Sequence, residues 1–152
     1  VNIIKKMQTI LEAFPKIDDL HVDYNEDAPD NFGLYPTGDK LITEDILGNQ
    51  DRSHTFILYA NFQSLNDYDR LQNSGILLEL QHWFESGYWY DFQYEDNEIS
   101  TLIDGDIFLG EIKGIKCANG MVFDVPDQNL NSTVRYQLQI TVDYYIAYDN
   151  KS

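Results

Sequence analysis

The chain has 152 residues, 26 acidic against 10 basic, for a formal net charge of -16. With 43% hydrophobic and 14% aromatic residues it differs from disordered acidic tails, which lack aromatics, and its length suits one domain (1–152) with a real core. The charge argues against binding nucleic acid or an anionic membrane as the main task, because phosphate repels it. The single cysteine, Cys117, excludes an internal disulfide framework and fits a reducing compartment.

No stretch is long and apolar enough to span a bilayer, which takes about 20 residues. The start lacks the unbroken apolar run and small-residue cleavage site of a signal peptide. Ile3, Ile4, Met7, Ile10, Leu11 and Phe14 recur at three- and four-residue spacing, which predicts an amphipathic helix over 2–14 that Pro15 stops. Leu20, Val22 and Tyr24 alternate with polar residues as in a half-buried strand. Asn25 to Gly38 reads as turn chemistry around a few apolar anchors, and a short apolar segment, Leu41 to Leu47, ends at Gly48-Asn49.

From about Arg52 to Phe62 the alternation returns, with His54, Phe56, Leu58, Ala60 and Phe62 on one face. Asn66 is a good N-cap, followed by Asp67 and Asp69 in the positive first turn of a helix that runs to Gly87. Beyond Gly87, Tyr88, Tyr90, Phe92 and Tyr94 share one face of a predicted strand. Strand signals continue to Asp104-Gly105, and Asn119-Gly120 is a second dipeptide suited to a tight hairpin, since both turn positions favour positive φ. After a loop holding Pro126, the alternation from Val134 to Tyr148 predicts one strand well above the usual length of about 5–6 residues, its far end projecting beyond the sheet. The fold class is α+β: a mainly antiparallel sheet with two helices packed on one face, a hairpin meander and a long C-terminal strand.

Chemistry-bearing motifs are sparse. No Gly-rich phosphate loop is present, and the Gly105, Gly110 and Gly114 spacing falls inside predicted strands. Cys117 lies beside a predicted turn with no nucleophile signature, and reads as structural. Glu79 and His82 form one Glu-x-x-His pair where a di-iron site needs two, and the acidic clusters lack the order of a calcium loop. Asn131-Ser132-Thr133 matches a glycosylation sequon without a secretory signal. No feature raises an enzyme reading above background, and no cofactor or metal is expected. Two surfaces do stand out: the Tyr88/Tyr90 face, core or partner-facing, and Tyr144, Tyr145 and Tyr148 near the end of the last strand.

Asn31-Phe-Gly-Leu-Tyr-Pro-Thr-Gly-Asp39 and Glu44-Asp-Ile-Leu-Gly-Asn49 resemble a motif block of small minor capsid or minor tail proteins from phages and prophages of Gram-positive hosts. Asp67-Tyr-Asp-Arg-Leu71, Cys117-Ala-Asn-Gly-Met121 and Tyr136-Gln-Leu-Gln-Ile140 extend the resemblance along nearly the whole chain. Size and element order are similar to those of tail terminator (tail completion) proteins. The resemblance implies a non-enzymatic subunit, assembled in the bacterial cytoplasm into the virion, that forms a ring, in expectation a hexamer. It would cap the tail tube and join it to the head connector. Arg52, Arg70 and Arg135 are then candidates for cross-subunit ion pairs, with intrachain pairing the plainer expectation for each. The rival from another class is an acidic DNA mimic that occupies the basic groove of a nucleic-acid enzyme; it needs carboxylates arrayed on one exposed face.

Overall fold

A computed structural model describes residues 2–17, 20–23, 31–63, 67–95, 98–100, 107–124 and 133–147. Helix α1 (Ile3–Glu12) starts where the Asn2 side chain accepts a hydrogen bond from the Lys5 N–H at 2.9 Å, satisfying one of the donors a helix N-terminus leaves open. Ile3, Met7, Ile10, Leu11 and, past the helix end, Phe14 are buried, the stripe expected of its sequence. Strand β1 (Leu20–Val22) then pairs in parallel with β2 (Asn31–Glu44), and β2 turns through Asp45–Asn49 into its antiparallel partner β3 (Gln50–Gln63).

Helix α2 (Asp67–Glu85) leads through a 3-10 helix (Tyr90–Glu95) to β4 (Glu98–Ser100), β5 (Ile107–Asp124) and β6 (Thr133–Ala147). The six strands lie in the order β1-β2-β3-β6-β5-β4, and every pairing but β1–β2 is antiparallel. One face of this sheet is buried: His54, Phe56, Leu58, Ala60 and Phe62 of β3 beside Tyr136, Leu138, Ile140, Val142, Tyr144 and Ile146 of β6. The stripes of α1 and α2 (Leu77, Leu80, Phe84) join the same cluster, so both helices cover that face, giving the expected α+β architecture. Alternation works here because side chains along a strand point to opposite faces.

Four local expectations are corrected. Residues 31–38 are strand, not turn. Asn31 to Leu34 are buried, and Pro36 is tolerated because β2 is flanked by β1 only at Phe32–Leu34, leaving its outer edge unpaired among the described residues from there on. The Tyr88–Tyr94 alternation does not make a strand. Gly87, at φ 81°, ends α2, and the buried Trp89 donates its indole N–H to the Phe84 carbonyl at 2.7 Å, so the chain folds back as a turn and a 3-10 helix. Asn119-Gly120 is no hairpin. It lies within β5, whose pairing with β6 continues on both sides, and the step from Ala118↔Gln139 to Met121↔Gln137 holds one extra residue, a bulge. The end of β6 does not project either, since β3 and β5 are long enough to flank it to Ile146 and Ala147. Asp104-Gly105, Asn66 and the Pro126 loop lie outside the described residues.

Candidate functional site

The β2–β3 hairpin carries the most distinctive surface. Its turn is fixed by Asp45, whose carboxylate accepts hydrogen bonds from the Leu47 N–H at 2.9 Å, the Asn49 N–H at 3.0 Å and the Asn49 side-chain amide at 3.0 Å. The slight desolvation of this carboxyl is outweighed by those bonds from Asn49 and Leu47, which hold it below the usual carboxylate range. Gly48 supplies the positive φ, 87°, that closes the turn. The rigid tip holds aliphatic side chains in the open: Ile46 is fully exposed, Leu47 62%, Ile42 52% and Leu41 44%. The sequence showed these residues as an apolar segment, and only the hairpin pairing reveals that nothing described covers them.

Behind the tip, strand register assembles a polar cluster. Asp39 lies opposite His54, and Arg52 opposite Tyr144. The Asp39 carboxylate accepts from Arg52 Nε at 2.6 Å, His54 Nδ1 at 2.9 Å and the Tyr144 hydroxyl at 2.6 Å, while Arg52 Nη1 donates to Gln50 Oε1 at 2.8 Å. Burial opposes ionisation of Asp39, but the bonds from Tyr144, His54 and Arg52 prevail and lower its pKa. Tyr144 is raised in turn, first by burial and then by the bond it donates to Asp39. An Asp–His pair of this kind orients an imidazole for proton transfer. Here, however, His54 Nε2 is buried without a hydrogen-bond partner and the ring lies 4.5 Å from that of Phe56, which leaves a substrate no approach to that nitrogen. The cluster braces the hairpin.

A second concavity lies on the helical side. It is an open groove of about 410 Å³ lined by Phe14, Pro15, Trp83 and Tyr88, with Lys16, Glu79, His82 and Ser86 also contributing. Phe14 and Trp83 meet edge to face at 5.5 Å, and Lys16 pairs with Glu79 at 2.8 Å on the rim.

The residues singled out from sequence are scattered. Tyr88 is 71% exposed in the groove and Tyr90 is exposed nearby. Tyr144 is buried and faces the cluster, away from the surface. Tyr145 is half-buried on the uncovered sheet face, with the Lys113 ammonium 5.4 Å from its ring centre. Arg52 is engaged by Asp39, and Arg135 donates to Asn61 at 3.0 Å and stacks over Tyr59, both within the chain. Tyr148 and the Arg70 side chain lie outside what is described. Among the described residues no group of three or more His, Cys, Asp or Glu is placed to hold a metal ion, and no helix is long and apolar enough to cross a membrane. No family model and no curated protein matches the chain.

Proposed function

We propose that this chain is a non-enzymatic subunit of a protein assembly: a tail terminator-like component of a phage virion that self-associates in a ring, hexameric in form, caps the tail tube and meets the head connector. The observation that carries the reading is the hairpin tip. An isolated acidic protein gains nothing from holding Ile46 and Leu47 in water on a rigid turn, whereas exposed apolar groups of this kind mark contact with other chains. The resemblance of the Asn31–Asp39 and Glu44–Asn49 segments to phage minor tail proteins supplies the kind of assembly. The formal charge of -16 is compatible with a channel that DNA must traverse without sticking.

Deleting the gene from its prophage tests this. Loss of a terminator leaves tails of irregular, excessive length that do not join heads; tails of normal length on filled heads would refute the reading. A DNA mimic makes a different prediction in solution, because its binding to a basic enzyme weakens steeply with salt. Association between copies that each carry -16 strengthens with salt, as repulsion is screened. An aliphatic tip serves the second kind of contact and has no use in the first.

A further inference from the structure

The sheet has a second face, which no helix among the described residues covers. Cross-strand partners point to the same side, so register sets Lys40, Ser53 and Asp143 in one row of this face. Thr55, Thr141 and Lys116 form the next row, and Tyr35, Ile57 and Gln139 the one beyond. All nine are exposed or half-buried. Asp51, Tyr145 and Glu111 make a row at one end, and Arg135 stands at the other. Lys113, bulged from β5, bonds to Glu111 at 2.7 Å and so lies on the same side. We propose that this face packs on the same face of a second copy of this chain, about a two-fold axis that runs across the strands.

Charge points to the occupant. The face holds four of the ten Lys and Arg residues, Lys40, Lys113, Lys116 and Arg135, but only Asp51, Glu111 and Asp143 of the 26 acids. Asp124, level with Arg135 in the ladder, makes four of each, so the rest of the sequence carries the whole -16. A basic partner would choose that acidic remainder. A surface cleared of net charge serves a partner that is itself acidic, as another copy is. The pattern is also complementary to itself. Asp51, Glu111 and Asp143 gather at one end, whereas Arg135 stands at the far end, held by the neutral Asn61 amide at 3.0 Å. A two-fold axis across the strands lays β6 antiparallel on the partner's β6. Arg135 then comes over the partner's Tyr145, between the partner's Asp51 and Glu111.

Packed sheets keep their strands within about 30° of each other, which this antiparallel arrangement satisfies. From Asp51 to Tyr59 the face runs about 30 Å, and its four strands are about 19 Å wide. Two copies therefore bury about 1,100 Å² in all, at the lower end of specific interfaces, so the pairing is weak and concentration-dependent. Tyr35, Ile57, Tyr59 and Tyr145 supply the apolar part of the contact. Pairing of sheet edges is the other route to self-association, and extra residues at Thr37, Ile42 and Lys113 blunt the edges against it. A two-fold contact closes at two copies. It thus goes beyond the ring of the assembly reading, and leaves the hairpin tip free for contacts within that ring.

Sedimentation velocity of the full chain at moderate salt over a wide concentration range tests the contact. Lys40→Glu/Lys116→Glu makes the face strongly acidic at two exposed positions. Lys5→Glu/Lys16→Glu changes the net charge by the same amount on and just beyond α1, away from the face and also at exposed positions. Circular dichroism and thermal melting confirm that each variant folds. The wild type should pair, and the face variant should raise the association midpoint at least about tenfold, because like charges then meet across the contact. The α1 variant should raise it less than about threefold, since its charges stay apart and screened, and Ile46→Ser/Leu47→Ser should leave it unchanged. The proposal is overturned by a wild-type chain still monomeric at about 1 mM, by a face variant that associates normally, or by equal shifts in the face and α1 variants. Association that the face variant leaves undisturbed removes this contact and leaves the ring reading intact. Normal tails after gene deletion remove the phage reading and leave the contact intact.

Discussion

Replacing Asp39 with Ala tests whether the polar cluster holds the hairpin. The carboxylate receives Arg52, His54 and Tyr144 at 2.6, 2.9 and 2.6 Å. Tyr144 is 4% exposed, so its hydroxyl would lose its partner in the interior, costing about 1–3 kcal/mol. The His54 ring is equally buried and its Nδ1 would be stranded beside an already unpartnered Nε2, adding on the order of 1–2 kcal/mol. Arg52 and Asp39 keep about a quarter of their side-chain surface, so solvent screens their pairing and its loss adds at most about 1 kcal/mol. Asp39→Ala should therefore lower stability by roughly 2–6 kcal/mol, or Tm by roughly 5–20 °C for a chain of this size, measured by urea and thermal unfolding at one fixed protein concentration. Tyr144→Phe alone should cost only about 1 kcal/mol, and the double variant should be more stable than the sum of the two losses implies, since the orphaned hydroxyl is then gone. An Asp39→Ala penalty below about 1 kcal/mol, or strict additivity with Tyr144→Phe, would show that the cluster is incidental.

The same groups set the pH limits. Asp39 has its pKa lowered from 3.8 in the fold, so its contribution is complete above that value and disappears as pH falls through the lower folded pKa; Tyr144 is raised from 10.0, so its contribution is complete below that value and is lost as pH rises through the folded pKa. Stability measured against pH should thus fall at both extremes, and Asp39→Asn should flatten the acid limb. Cys117 is pushed up to about 12, chiefly by burial and further by Glu85, so alkylation by iodoacetamide at pH 8 should be slow in the native protein and fast in urea; rapid native labelling would contradict its placement. Trp89→Phe removes the donor to the Phe84 carbonyl and should cost about 1–3 kcal/mol in urea unfolding with little change in helical circular dichroism. A loss below about 0.5 kcal/mol would mean that this bond does not hold the chain reversal at the end of α2.

The sequence revealed most where a pattern repeats against one packed face. The α1 stripe and the alternation in β3 and β6 were legible because each element buries one side on a common core, and burial of Met7, Phe56 and Ile140 follows the period of its element. Tyr88 to Tyr94 obeyed the strand pattern equally well, yet the Gly87 terminus and the Trp89 bond decide that segment locally. Asn119-Gly120 has the chemistry of a hairpin turn and is overruled by long-range pairing with β6. The Asp39 cluster was invisible for a different reason. Its members are separated by up to 105 positions and meet only through strand register, which a single sequence does not encode as a motif.

The position of that cluster explains how so exposed a tip is held in place. A long hairpin flexes unless its strands are tied to the sheet, and the β2 strand loses its outer neighbour, among the described residues, beyond Leu34. Asp39 comes five residues later and fastens β2 at once to β3 through Arg52 and His54 and to β6 through Tyr144, across the intervening strand. Thr37 adds a hydroxyl bond to the Thr55 carbonyl at 3.0 Å, and Thr43 donates to the Asp51 carboxylate at 2.9 Å. The hairpin is therefore braced in steps from its base to its turn, where Asp45 takes over. Such bracing has no value for a loop that merely connects two strands, because a short flexible turn would do. It has value when the turn must present Ile46 and Leu47 in one geometry to a partner, since each group already fixed before contact is one whose ordering no longer opposes binding. On the proposed assembly reading, Asp39, Arg52, His54 and Tyr144 would act on assembly from a distance, by stiffening the arm that presents the tip.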